Sequence, residues 1–385
     1  MRFFHLADLH IGKMVNGYSM IDDQRVLLDQ VLDHLRKERP DGLILAGDIY
    51  DRRNPSVEAI ALFDAFISQV ILDLGIPVLA IGGNHDGGER LGFANGIQAK
   101  AGLHLVGNFT WPIPKVRLEK NGEVVDIYLM AYADLAVLHA LVPETAGMNY
   151  PEAMDWILSH TALDPSVINV LVAHGVVTGD APLIESDSER VLSIGGTEYW
   201  QSSSLKAFDY VALGHLHRAQ KSGSTRIRYA GSLMQYSFSE EKHHKVMLDV
   251  HLGASGEFDV QEIPLEAPHH FVTIKGMFDA LLAVPEAARV HKEDYLRVIL
   301  EDQGSLLEPM QRLKGVYPNI MLLERAAQAA GTVSDKLVSS AQGARKMQPQ
   351  ALFAQFFEQV TGEEPTEKMT AIVGEIFQDV QKEGV

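Results

Sequence analysis

Residues 78–86 read Val78-Leu79-Ala80-Ile81-Gly82-Gly83-Asn84-His85-Asp86. An apolar run, two glycines and then an amide, an imidazole and a carboxylate describe a buried strand that stops at ligand-type side chains. Four other stretches share the design. Phe3 to Ala7 runs into Asp8-Leu9-His10, Leu43 to Gly47 into Asp48, Asn169 to Ala173 into His174, and Tyr210 to Gly214 into His215-Leu216-His217. Between the first three lie helical patterns. Val26, Leu27, Val31, Leu32 and Leu35 recur at helical spacing over 24–35, and a second helix over 57–74 is closed by Gly75 and Pro77. Such alternation predicts a largely parallel sheet covered by helices. In open sheets of that kind the carboxyl ends of the strands line the ligand crevice, so the five segments gather at one edge. Ile127 to Ala131, Ile227 to Ala230 and Val246 to His251 read as further strands, the later ones in a second, antiparallel sheet. The expected fold class is α/β, a layered α/β/β/α sandwich over residues 1–265.

The gathered side chains are Asp8, His10, Asp48, Asn84, His174, His215 and His217, with His85 left over. Carboxylate, amide and imidazole without thiolate suit Mn, Fe or Zn in a reactive site better than a structural zinc. Seven ligands are too many for one open ion and suit two ions that share a carboxylate. Asp8/His10 and His215/His217 have period two, so each pair can face one way on an extended segment. Each piece alone is common, since Gly-Asp is an ordinary turn and Asn84-His85-Asp86 could be a left-handed one. It is the joint occurrence at five strand ends that points to a metal centre.

Composition bounds the alternatives. The chain has 385 residues, no cysteine, and a formal charge of −18 from 33 basic and 51 acidic residues. Disulfides and thiolate chemistry are excluded. The acidity argues against a globally basic nucleic-acid binder, although bound cations reverse the potential locally. No secretory leader and no apolar run long enough to span a bilayer are visible, so a cytoplasmic location is expected. A change near Pro264 and Pro268 opens a small α/β module over 266–325. Residues 326–347 are rich in Ala, Ser and Gly and read as a linker. Residues 348–385 carry two amphipathic helices, with Leu352, Phe353, Phe356, Phe357 and Val360 on one and Met369, Ile372, Val373, Ile376, Phe377 and Val380 on the other. A helix pair on a polar tether cannot bury both apolar faces by itself, which implies a partner.

The ordered set Asp-x-His, Gly-Asp, Gly-Asn-His-Asp, His-Gly and Gly-His-x-His resembles the calcineurin-like metallophosphoesterase superfamily. The opening Met1-Arg2-Phe3-Phe4-His5-Leu6-Ala7-Asp8-Leu9-His10-Ile11-Gly12-Lys13, the run Leu45-Ala46-Gly47-Asp48-Ile49-Tyr50-Asp51, and Arg90-Leu91 after the third motif resemble the branch of DNA nuclease subunits that work with a coiled-coil ATPase. The resemblance implies Asp8, His10, Asp48 and His217 around one manganese and Asp48, Asn84, His174 and His215 around the other. It implies His85 as the catalytic histidine. Some relatives have a second histidine three residues after the bridging Asp, where this chain has Asp51. It further implies cleavage at DNA ends and hairpins, by exonuclease and endonuclease action, in repair, recombination and replication. The 266–325 module becomes a capping domain for DNA, the 348–385 helices the ATPase-docking segment, and a homodimer is expected. Lys13, Arg52, Arg53, Arg90 and Arg218 lie within a few residues of ligands and are candidate phosphate-backbone contacts. Two other readings share the ligand set: an esterase for small phosphate esters, and a DNA-end tethering subunit without catalysis.

Overall fold

The computed structural model describes residues 1–179, 182–189, 199–253, 256–284, 291–326, 365–366, 369–370 and 373. The chain divides into two compact units, Met1–Thr273 with Glu293–Leu296, and Ile274–Lys292 with Arg297–Val385.

The first unit is built on two six-stranded sheets. Strands in chain order are β1 (Arg2–Leu6), β2 (Gly42–Ala46), β3 (Val78–Ile81), β4 (Leu103–Val106), β5 (Lys115–Lys120), β6 (Glu123–Met130), β7 (Ile168–His174), β8 (Tyr210–Gly214), β9 (Gln220–Ser222), β10 (Ser224–Tyr229), β11 (Val246–Leu252) and β12 (Phe258–Pro264). Sheet one runs β12-β11-β1-β2-β3-β4 and sheet two β9-β10-β8-β7-β6-β5. In sheet one β1 to β4 are parallel, with β11 and β12 antiparallel at one side.

Sheet two is not the antiparallel sheet expected from the sequence. Its inner strands β6, β7, β8 and β10 are parallel and only the edge strands β5 and β9 are antiparallel. A crossover helix, Tyr150–Ser159, lies between β6 and β7 in the chain, and such a connection returns the chain in the same direction. That helix starts at a capping box, Asn149 with Glu152, and carries Pro151 in its first turn.

Period-two alternation builds the layers. Ile127, Leu129, Val170, Val172, Tyr210 and Ala212 face Ile44, Ala46, Leu79 and Ile81 in the core between the sheets. Their neighbours Tyr128, Met130, Leu171, Ala173, Val211 and Leu213 pack outward with Tyr150, Ala153, Met154 and Ile157 of the crossover helix. The helix Ile21–Glu38 buries Leu27, Leu28, Val31, Leu32 and Leu35; of the expected stripe Val26 is exposed instead, and Leu28 takes its place on the buried face. The α/β/β/α sandwich is therefore present as expected. The second α-helix ends at Ser68 and continues as a π-turn over Gln69–Asp73.

The first unit extends past residue 265 because the segment after it is tied down. His269 bonds Asp23 at 2.9 Å, and the backbone N–H of Phe271 donates to Gln235 at 2.9 Å. The second unit holds a three-stranded sheet, Ile320–Arg325 next to Tyr295–Leu300 next to Phe271–Gly276, whose latter two strands begin in the first unit, and helices Phe278–Ala283 and Pro309–Lys314. The linker and almost all of the C-terminal helix pair expected over 326–385 lie outside the described residues. Among the described residues no helix is long and apolar enough to cross a membrane.

Candidate metal centre

The five strand ends meet at the carboxyl edge of both sheets, and the backbone turns sharply there. Asp8, His10, Asp48 and His215 all have positive φ, at 51°, 44°, 50° and 104°. Each costs on the order of 1 kcal/mol for a residue with a Cβ, a strain that concentrates at functional sites. Gly47 is required: a Cβ there would stand 2.3 Å from His174 Nδ1. Gly83 is required in the same way, since its Cβ would lie 2.2 Å from Asp48 Oδ1.

All seven expected ligands are buried and converge. Asp48 Oδ2 stands 3.4 Å from His174 Nε2 and 3.6 Å from His10 Nε2, between two groups of side chains. On one side Asn84 Oδ1 lies 3.0 Å from His174 Nε2 and 3.3 Å from His215 Nδ1. On the other, His10 Nε2 and His217 Nε2 face each other at 3.1 Å. Asp8 accepts the backbone N–H of His215 at 2.9 and 3.0 Å. Ligand atoms of Asp8, His10 and His217 lie within 4.8 Å of one another, as do those of Asp8, Asp48 and His174, and of His10, Asp51 and His85.

The donor set fits divalent cations. His174 donates its Nδ1–H to the Ala46 carbonyl at 2.9 Å, and His217 turns Nδ1 to the Glu240 carboxylate at 3.1 Å. Both rings thus turn Nε2 inward, the nitrogen that can ligate a cation once it carries no proton. Two imidazole nitrogens facing each other need a shared proton or a cation between them. Burial holds His10 well below the usual imidazole range and also lowers His217, which favours the neutral rings that can ligate a cation. The Asn84 amide nitrogen and His10 Nδ1 are buried without a hydrogen-bond partner, so the centre is incompletely satisfied by protein alone. Burial likewise lowers His215 to about 3. His174 is the exception: burial opposes its protonation, but the charges of Asp48 and Asp8 raise it to about 9. Burial and the repulsion of Asp48 push Asp8 well up, whereas Asp48 is held well down because His174 and His10 outweigh its burial. A cation would replace the proton on His174 and discharge this imbalance.

His85 stands apart from the convergent set. Its backbone N–H donates to Asp48 Oδ1 at 2.8 Å, and its Nδ1 donates to the Asp51 carbonyl at 2.8 Å. The ring stands edge-on to His10 with centroids 4.7 Å apart. Nε2 is the nitrogen left for a substrate. Asp51 therefore has a defined place: its carbonyl fixes His85, and its carboxylate accepts Lys13 Nζ at 2.8 Å and lies 3.7 Å from His10 Nδ1. Lys13 is consequently half-buried in an ion pair, whereas Arg52, Arg53, Arg90 and Arg218 are exposed.

Several further residues support the site, and of these only Asp86, the end of the Asn84-His85-Asp86 run, stands in a sequence motif. Asp86 accepts the backbone N–H groups of Ile49, Tyr50 and Gly83 at 3.1, 3.0 and 2.9 Å, locking the loops after β2 and β3 together. Burial and the nearby Asp48 raise it to about 7. Glu240 is fully buried; besides His217 it accepts Lys245 Nζ at 2.5 Å and the Ser188 hydroxyl. Gln24 and Tyr236 brace the chain behind His10: Gln24 Nε2 donates to the His10 carbonyl at 2.8 Å, and the Tyr236 hydroxyl donates to the Leu9 carbonyl at 2.5 Å.

Residues 1–219 match the model of the calcineurin-like phosphoesterases, and residues 267–361 match that of the type 5 capsule protein repressor C-terminal domain. The chain is 31% identical to SbcD, the D component of the SbcCD nuclease, from Staphylococcus saprophyticus over the full length of both. It is 32% identical to the protein of the same name from Staphylococcus epidermidis, over 84% of this chain and 85% of that one. Among solved structures, a dimetal phosphatase from Danio rerio aligns with 69% of this chain and 99% of its own, at 12% identity and a TM-score of 0.37. On the family match and the full-length relatives together, the chain belongs to the calcineurin-like phosphoesterases and, within them, to the SbcD family of SbcCD nuclease components.

Proposed function

We propose that this chain is the nuclease subunit of an SbcCD-type complex, a manganese-dependent phosphodiesterase that cuts DNA at duplex ends and hairpins. The observation that carries the reading is the convergence of five strand ends on one buried set of Asp, Asn and His side chains. Membership of the phosphoesterase family implies divalent metals, and this donor set suits them. Asp8, His10, Asp48 and His217 would hold one Mn2+ and Asp48, Asn84, His174 and His215 the other, with Asp48 shared. When bound, such ions neutralise non-bridging phosphate oxygens and make water a nucleophile at neutral pH.

The protein's own part is orientation and proton handling. Asp48 fixes the backbone of His85, and Asp51 fixes its ring, so Nε2 is presented at one position. From there His85 can donate a hydrogen bond to an equatorial phosphate oxygen or a proton to the leaving alkoxide. Asp86 holds the loop that carries Asn84 and His85 against the loop that carries Asp48. The exposed Arg52, Arg53, Arg90 and Arg218 supply local positive charge to a chain of net charge −18.

On the same reading, residues 266–325 act as a capping module on DNA, and the 348–385 segment docks on the SbcC-type ATPase. The protein works as a homodimer in the cytoplasm, in DNA repair and recombination. The deciding experiment is cleavage of end-labelled duplex and hairpin DNA with Mn2+, with and without the ATPase and ATP. Manganese-dependent shortening of the duplex supports the reading. Hydrolysis of small phosphate esters with intact DNA overturns it.

A further inference from the structure

A cleft of about 350 Å³ opens beside the metal centre, at the carboxyl ends of β3, β4 and β6. Asn84, one of the convergent ligands, is part of its lining. Tyr132, Phe109, Val137, Leu141 and Arg53 line it as well. Val137 and Leu141 are 39% and 47% exposed, apolar surface that the fold leaves to solvent. Glycine lets the loops that line the cleft pack closely. A Cβ at Gly107 would stand 2.0 Å from the Gly88 carbonyl oxygen, and one at Gly88 would stand 2.7 Å from the Gly107 carbonyl oxygen, so the loops after β3 and β4 pack backbone to backbone.

The chemistry of the walls selects among the parts of a nucleotide. Asp86, Glu89 and Asp134 line the cleft against the single cation of Arg53. A second phosphate would meet net negative charge there and be repelled. The neutral part of a nucleotide meets a better fit: the rings of Tyr132 and Phe109, two aliphatic side chains, and the acceptor oxygens of Glu89, Asp134 and Asn108, which suit exocyclic amino groups. The volume is at the low end of the roughly 300–1,000 Å³ typical of small-ligand sites, enough for one base with its sugar and too small for a base pair. Because Asn84 belongs both to the cleft and to the convergent set, an occupant lies next to the phosphate that reacts.

We propose that this cleft is a nucleoside subsite, which takes one unpaired base adjacent to the scissile phosphate and stacks it on Tyr132. The inference rests on the nuclease reading and adds to it a place where a single base is separated from its partner.

The test crosses a change in the protein with a change in the DNA. Single-stranded oligonucleotides carry either a natural base or a tetrahydrofuran abasic residue on one side or the other of the cleavage point. They are cleaved with Mn2+ by the wild type, Tyr132→Ala and Tyr132→Phe. Stacking on an aromatic side chain predicts that removing the base on one side raises KM roughly tenfold for the wild type and for Tyr132→Phe. With Tyr132→Ala, KM is already raised by about that factor and abasic substitution adds nothing. Bound manganese per chain, measured in parallel, stays equal in all three proteins. Base and residue effects that multiply on both sides of the cleavage point overturn the inference while leaving the nuclease reading intact, as does unchanged KM in Tyr132→Ala. A wild type that hydrolyses a small phosphate diester and leaves every oligonucleotide whole overturns both.

Discussion

The two sides of the metal centre are anchored by different means. On the His174 side the outer ring nitrogen bonds a backbone carbonyl, that of Ala46 on the other sheet. Closing the sandwich sets that bond, and no side-chain substitution removes it directly. On the His217 side the outer nitrogen bonds Glu240, a buried carboxylate itself paired with Lys245. That anchor is made of side chains and adds a buried ion pair, whose attraction must offset the desolvation of both charges. One side is thus a consequence of the fold, and the other is a separate arrangement laid on it. The two should be breakable independently.

The largest effect is expected where the sides meet. Asp48 Oδ2 stands between His174 and His10, so Asp48→Ala removes a donor from both. Metal analysis after dialysis should show loss from both sides. Hydrolysis should fall by roughly 10⁴-fold or more, as for a residue on which the others depend. Wild-type metal content in this variant would mean that the two sides share nothing. His85→Ala removes none of the seven convergent side chains: its ring bonds the Asp51 carbonyl and packs edge-on against His10. Metal content should stay at the wild-type level while turnover falls by about 10²–10⁴-fold. Loss of metal would make His85 a ligand and move it inside the centre.

Glu240 separates the two sides. Removing an outer partner of a metal-bound histidine typically weakens metal binding about 10–100-fold. Glu240→Ala would also strand the Lys245 ammonium in a buried place, so the informative variant is the double change Glu240→Gln with Lys245→Met, which leaves no uncompensated charge. A manganese titration followed by electron paramagnetic resonance should then show one class of ion weakened and the other unchanged. Equal weakening of both classes would show that the anchors are coupled and that neither side stands alone.

The same contrast decides what could be read from the sequence. The His174 side follows from strand ends, and strand ends are legible as apolar runs that stop at a ligand-type residue. Glu240 and Lys245 sit in the run Glu240-Glu241-Lys242-His243-His244-Lys245, which reads as solvated surface. Only its first and last members are buried, a choice made by the turn after Tyr236 and by β11, and no period announces it. Lys13 shows the converse. Proximity to His10 suggests a phosphate contact, but the fold brings Asp51 against it from a segment 38 residues away. The parallel order of sheet two does have a signal in the sequence. Asn149, Pro151 and Glu152 mark the start of the crossover helix, and a helix between two apolar strands implies a parallel pair. Without that helix, the later strands read as an antiparallel sheet.

The smallest expected effect comes from a histidine outside the centre, and it asks whether carboxylates or burial set the difference between His174 and its neighbours. His5 lies on β1, fully buried, with Nδ1 2.9 Å from the Tyr210 hydroxyl and Nε2 without a hydrogen-bond partner. Burial lowers it to about 3, as it lowers His215, while the carboxylates beside His174 raise that residue to about 9. A neutral native His5 and an unfolded-state value near 6.5 give a defined sign. Between these values the unfolded chain binds the proton that the native protein refuses, so the stability His5 contributes is present above pH 6.5 and is lost as pH falls toward 3. In metal-free protein, wild-type stability from denaturant midpoints should therefore fall more steeply between pH 6.5 and 5 than that of His5→Leu, by roughly 1–2 kcal/mol over the interval. The lost Tyr210 bond shifts the variant's whole curve and leaves its slope alone. Parallel curves would mean that native His5 accepts the proton despite its burial, and burial could then no longer account for the neutral state of the histidines on the His217 side.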